Sequence, residues 1–150
     1  MDPGEELRYL VLGAQREGNR IVADLLRPLG LTPSQAEVLR VLLHSGRMSL
    51  IDVGSRLVCE SGSPSRLVDG MVSSGLIERI QATDDRRRIE LSLTEEGRRK
   101  ARAARKAEHK LHLLIEALVP AEDLAAASRV LWLFVEGRPA GDALRLRIND

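Results

Sequence analysis

A mainly α fold carrying one small β-hairpin is what this sequence predicts, and three observations carry that expectation. Apolar residues recur at helical spacing through most of the 150 residues. Capping residues stand where those stripes begin, at Asp2, Thr32, Ser49, Ser63 and Thr94. One place breaks the helical period: residues 76–80 and 89–93 alternate as two short strands around the charged stretch Gln81–Arg88. With 43% hydrophobic and 30% charged residues, the chain can bury a core and is not disordered by composition.

In chain order, Asp2 caps the first helix, Pro3 suits its first position and Glu5 complements its dipole. Leu7, Leu10, Val11, Ala14, Ile21, Val22, Leu25, Leu26 and Leu29 form its stripe, and Pro28 and Gly30 end it. Thr32-Pro33-Ser34-Gln35 is a capping box opening a second helix that His44-Ser45-Gly46 stops. Ser49 caps a third, short helix reaching about Val58, with Leu50, Val53 and Leu57 inside. Ser63-Pro64 starts a fourth, with Leu67, Val68, Met71 and Val72 inward and Gly75 closing it. After the hairpin, Thr94 caps a fifth helix in which Gly97, Ala101, Ala104, Glu108, Leu111, Ile115 and Leu118 make a heptad-like seam. Pro120, Glu122 and Asp123 open a sixth, which runs to Gly137, and residues 138–150 read as a tail. There are no internal repeats.

Net charge is only +1, but the charge is unevenly placed. Between Arg86 and Lys110 ten Lys/Arg stand against four Glu, while Leu111–Ser128 contains no Lys or Arg. A basic block in a neutral chain points to a polyanion on one face. The three aromatic residues, Tyr9, Trp132 and Phe134, are too few for the stacking platforms of single-strand binding. One cysteine, Cys59, excludes an internal disulfide framework. No signal peptide or membrane-length apolar run is visible, so a cytoplasmic location is expected. Metalloprotease, nucleophile-elbow, phosphate-loop and CxxC motifs are absent and the reading is not an enzyme; neither cofactor nor metal is expected.

Residues 49–93 form one unit: a short helix, a Ser/Gly turn, a second helix and a hairpin, the order of a winged helix-turn-helix. In such a unit the second helix enters the major groove of double-stranded DNA. Its start reads Ser61-Gly62-Ser63-Pro64-Ser65-Arg66. Ser61, Ser63 and Ser65 permit close approach, and Arg66 can donate two hydrogen bonds to guanine. The hairpin tip carries Asp85, Arg86, Arg87 and Arg88, and arginines on a ribbon suit the electronegative minor groove. An aspartate there can hold a guanidinium in place before DNA arrives.

These residues resemble the MarR family of bacterial transcription regulators. LTPSQAEVLRVL (31–42), SRLVDGMVSSGLIER (65–79) and DDRRRIELSLTEEG (84–97) are similar to its motifs in order and spacing. Gly70 and Pro64 depart from it, standing where the family often has a basic and an aliphatic residue. The resemblance implies that Arg87 reaches the minor groove, that Asp85 orients it, and that repression is the mode of action. Residues 31–97 are then the DNA-binding domain, and 5–29 with 98–137 a discontinuous helical dimerisation region. Apolar stripes too wide for one small domain argue independently for a homodimer reading a pseudo-palindromic operator. The resemblance also implies a small-molecule effector, for which Arg16, Arg20, His109 and His112 are candidates by location. The rival readings are a winged helix that binds a partner protein without DNA, and a regulator responding to oxidation of Cys59.

Overall fold

The computed structural model describes residues 1–58, 62–83, 85 and 87–149. Helix α1 spans Pro3–Leu26 and passes through a 3-10 turn, Arg27–Leu29, into α2, Pro33–Ser45. Then follow α3 (Leu50–Ser55), α4 (Pro64–Ser73), strands β1 (Ile77–Gln81) and β2 (Ile89–Leu93), α5 (Glu95–Leu118), α6 (Ala121–Val135) and α7 (Pro139–Asn149).

The helix starts follow the capping chemistry. Asp2 Oδ1 accepts from the Glu5 amide at 2.8 Å. Thr32 and Gln35 bond reciprocally at 3.2 and 3.0 Å, closing the capping box. Ser49 Oγ accepts from the Asp52 amide and Thr94 Oγ1 from the Gly97 amide. Ser63 occupies the cap position of α4, but its hydroxyl makes no capping bond. On the surface of α5's first turn, Arg99 donates two hydrogen bonds to Glu96, which hold the Glu96 carboxyl below the usual range and raise the Arg99 guanidinium.

The core sits between α2, α4, the hairpin and the first half of α5. Leu26, Val38, Leu39, Val53, Val68, Met71, Ile77 and Leu91 are fully buried there. β1 and β2 pair antiparallel from Ile77↔Leu93 to Gln81↔Ile89. Met48 adds an antiparallel bridge to Leu91, so the α2–α3 connection holds the hairpin from its other edge. Gly75, at φ 70°, makes the turn from α4 into β1.

α5 is fastened to the root of the hairpin. The Thr94 hydroxyl donates to the Gly75 carbonyl at 2.7 Å, and the Thr94 amide to that of Leu76 at 3.2 Å. Gly97 lies directly over the same strand: a Cβ at this position would stand 1.9 Å from the Leu76 carbonyl oxygen. The heptad-like seam divides here. Gly97, Ala101 and Ala104 are buried against the chain's own core, while Ile115 and Leu118 face outward, Leu118 being 80% exposed.

Three boundaries differ from the sequence reading, the first being that of α3, which ends at Ser55 and does not reach Val58. β1 begins at Ile77 rather than Leu76, because the Leu76 amide donates to the Met71 carbonyl at the end of α4 and not across the hairpin. Residues 138–150, read as a tail, contain α7. Gly137 at φ 68° turns the chain, Pro139 opens the helix, and Ala143 is buried. Gly141 admits the end of α6, since a Cβ there would lie 2.1 Å from the Val135 carbonyl oxygen. α7 returns to touch α3, and its Arg147 donates to Glu37 of α2 at 2.6 Å.

Gly97→Ala is expected to destabilise the protein by about 3 kcal/mol, because the new methyl meets backbone that cannot give way. Gly70→Ala, on the open side of α4 with nothing within 4 Å of its Cβ position, is expected to stabilise by about 1 kcal/mol through helix propensity. Urea unfolding of the two variants measures both, and a Gly97→Ala variant as stable as wild type would refute the close approach.

Candidate nucleic-acid interface

The candidate reading element is α4. Val68 and Met71 are buried and Leu67 and Val72 partly so, which fixes one face of the helix to the core. The opposite face, with Ser65 and Arg66 in the first turn and Asp69 and Gly70 in the next, is exposed. Pro64 removes one of the free amides of the first turn, and the Ser63 hydroxyl is left uncommitted by the cap. Among the described residues no acceptor is bonded to the Arg66 guanidinium. A planar fork of donors thus stands at the exposed start of a helix whose own dipole is positive at that end. Ser61, predicted as a third hydroxyl here, lies outside the described residues, as does Cys59.

The hairpin extends past its last strand pair. The Ala82 amide donates to the Arg88 carbonyl and the Arg88 amide to that of Asp85, both at 2.9 Å, which closes the tip. Arg87 is exposed, and its guanidinium has no acceptor among the described residues. Asp85 does hold Arg87, but through the backbone: its Oδ1 accepts from the Arg87 amide at 2.9 Å. The sequence reading had the carboxylate orienting the guanidinium. A two-residue span favours the local Asx-turn bond instead, which fixes the course of the tip rather than the side chain. Arg88 turns back to Glu90 at 3.1 Å and is spent on the hairpin. Arg86, the remaining predicted wing contact, lies outside the described residues.

One connection was not anticipated. Arg79 of β1 pairs with Asp69 of α4 and so ties the wing to the candidate reading helix. Both side chains are more than a third exposed, so the pair contributes orientation more than stability. Its signal in the sequence was only an opposite-charge pair ten residues apart.

The candidate effector residues separate. His109 and His112 line a hollow of about 500 Å³ on α5 beside Arg40 and Arg102. Arg16 and Arg20 are not among its lining residues; they lie exposed on α1, Arg20 paired with Glu17 at 2.7 Å. Among the described residues no group of three or more His, Cys, Asp or Glu is gathered in a metal-binding arrangement. None of the described helices is long and apolar enough to cross a membrane.

A helix seated on its neighbours by one face and open at its first turn, followed by an antiparallel hairpin with a cationic tip, defines a winged helix-turn-helix. Residues 31–89 match the family model described as "MarR family", so the winged unit is similar to that family. The chain is 32% identical over 93 residues to the HTH-type transcriptional regulator TtmR of Methylorubrum extorquens (strain PA1), covering 62% of this chain and 48% of that protein. It is 36% identical over 68 residues to the HTH-type transcriptional repressor MdtR of Bacillus subtilis (strain 168), covering 45% and 44%. The chain spans about half the length of these curated relatives. The fold matches that of a MarR mutant from E. coli, crystallised in complex with operator DNA, with a TM-score of 0.76 at 22% identity over 90% of this chain and 99% of that one.

Asp85→Ala is expected to leave global stability within about 0.5 kcal/mol while loosening the wing tip. Amide exchange at Arg87 should quicken by about tenfold as its acceptor is lost, and an unchanged exchange rate would contradict the Asx-turn.

Proposed function

We propose that the protein is a sequence-specific transcriptional regulator that binds double-stranded DNA as a homodimer and represses the genes it controls. The observation that carries this reading is the pairing of two exposed arginines without acceptors among the described residues, Arg66 on α4, whose inner face is packed in the core, and Arg87 on the hydrogen-bonded tip of the wing. α4 enters the major groove, where Arg66 reads a guanine edge through its two parallel donors and Ser63 and Ser65 meet backbone or base. The wing lies along the flanking minor groove, into which Arg87, and with it Arg86, carries positive charge. The printed names of the relatives, a transcriptional regulator and a transcriptional repressor, favour this class, and the MarR mutant of matching fold was solved on its operator.

Dimerisation follows from what the single chain leaves uncovered. Leu10 and Ile21 on α1, Leu114 and Leu118 on α5, and Leu133 and Phe134 on α6 are all exposed, Leu10 by 61% and Phe134 by 52%. Apolar area on that scale is a liability unless a partner covers it. A second copy satisfies both subunits with one two-fold contact and sets the two α4 helices one DNA turn apart, about 34 Å. The operator is then a pseudo-palindrome. The helices at the junction of this dimer region with the winged unit are where a small-molecule effector shifts that spacing, and the cytoplasm is where the protein works.

Selection of bound duplexes from a random DNA pool tests the reading, with an enriched pseudo-palindrome expected. On that operator log K should fall with log salt, by about 0.9 per phosphate neutralised, and a flat salt dependence would overturn DNA binding. Arg66→Ala should cost about 1–3 kcal/mol and relax preference at one base position. Arg87→Ala should instead weaken all sequences, most at A·T-rich flanks. Phe134→Glu should convert the dimer to monomer in sedimentation equilibrium, and a variant that stays dimeric would place the interface elsewhere.

A further inference from the structure

We propose that the hollow enclosed by α2, α3, α5 and α7 is a binding site for a small aliphatic polyanion bearing carboxylate or phosphate groups. The proposal deepens the effector part of the function above and rests on that reading only for its regulatory consequence. The cavity measures about 320 Å³, at the small end of ligand sites. Four guanidinium groups line it: Arg40 of α2, Arg56 just past the end of α3, Arg105 of α5 and Arg147 of α7. Glu108 is bonded to Arg40 at 3.2 Å and Glu37 to Arg147 at 2.6 Å, and Arg56 donates to the Asp52 carbonyl at 3.2 Å. Arg105 has no acceptor among the described residues, and Arg40 Nε is buried with none.

Like charges from separate helices do not converge without something to hold them. Guanidinium forks match carboxylate and phosphate oxygens in pairs, so one ligand with several anionic oxygens, on two or more carboxylates or on a doubly charged phosphate, engages several at once. Val41 and Leu43 supply apolar wall for a short carbon skeleton. The lining contains no Phe, Tyr or Trp, and its one ring is the exposed His44 imidazole. The clustered guanidinium groups and the short apolar wall select a compact polyanion over a monoacid.

The site also has a route to the DNA-reading element. Glu37 is only 4% exposed, and the oxygen that accepts from Arg147 also accepts from the Val58 amide at 2.9 Å. Val58 follows α3 on the way to α4. An anion that draws Arg147 toward itself changes what Glu37 holds at that junction. Because coupling is reciprocal, the ligand and the operator then alter one another's affinity by the same factor.

Calorimetric titration of the 150-residue chain, free of DNA, tests the site. The probes are citrate for carboxylates, glycerol 3-phosphate for phosphate, and benzoate as an aromatic monoanion. At least one of the first two should bind saturably, once per chain, at physiological salt and about tenfold more tightly than benzoate. Arg105→Gln should weaken that binding by about tenfold with the melting temperature unchanged, since Arg105 is exposed and holds no acceptor. The proposal is overturned if neither citrate nor glycerol 3-phosphate binds, if benzoate binds as tightly, or if Arg105→Gln binds like wild type. Operator affinity with and without the probe that binds then tests the coupling, and equal affinities would sink that part alone. Failure to bind any DNA would instead count against the function proposed above.

Discussion

The close approach of α5 to the root of the hairpin, at Gly97 over Leu76, is the contact on which the geometry of the molecule turns. Three things meet there: the end of the α4 turn at Gly75, the start of β1 and the cap of α5. The Thr94 hydroxyl accepts from the helix it caps and donates to the turn it abuts, so one side chain fixes the angle between hairpin and helix. α5 is also the helix that leaves the winged unit and presents its far half to solvent. Whatever holds that far half therefore acts on the wing through a rigid lever whose fulcrum has no room for even a methyl group.

The second constraint is electrostatic. Glu37 belongs to α2, whose other inward residues are Ala36, Val38, Leu39, Val41 and Leu42. A carboxylate at such a position is costly unless its oxygens are satisfied. Here a backbone amide from the end of the α3 region and a guanidinium from α7 satisfy it. A buried pair of this kind is weak evidence for net stability but strong evidence for register, since losing either partner strands the other. It fixes where the last helix of the chain lies against the first helix of the winged unit.

How much of this was legible follows from the range of each interaction. The caps at Asp2, Thr32, Ser49 and Thr94 depend on residues three apart and were readable directly. So were the hairpin and the inward face of α4, which rest on periods of two and of three to four. The Ser63 cap shows the limit: residue type allows the bond, and the approach of the chain decides whether it forms. The α5 seam was read as one stripe because spacing does not say what lies opposite each half. α7 escaped because Leu144, Leu146 and Ile148 alternate with Arg145 and Arg147, a period that suggests no helix, while the burial that seats it falls on the small Ala143. The Arg147–Glu37 pair joins residues 110 apart, and no local pattern announces it. At the candidate site, the exposed positions of Arg66 and Arg87 were readable from type and place. The backbone target of Asp85 and the Arg79–Asp69 tie needed coordinates.

α6 gives the molecule an optical property. Trp132 is the only tryptophan in the chain. It is half-buried, with the Arg145 guanidinium of α7 lying 5.7 Å from the ring centroid. Indole emission shifts with the polarity and the charge around the ring. The intrinsic fluorescence of this protein is therefore a single-site signal, free of overlap from other indoles. It reads both the seating of α7 on α6 and the drying of the α6 surface when something covers it.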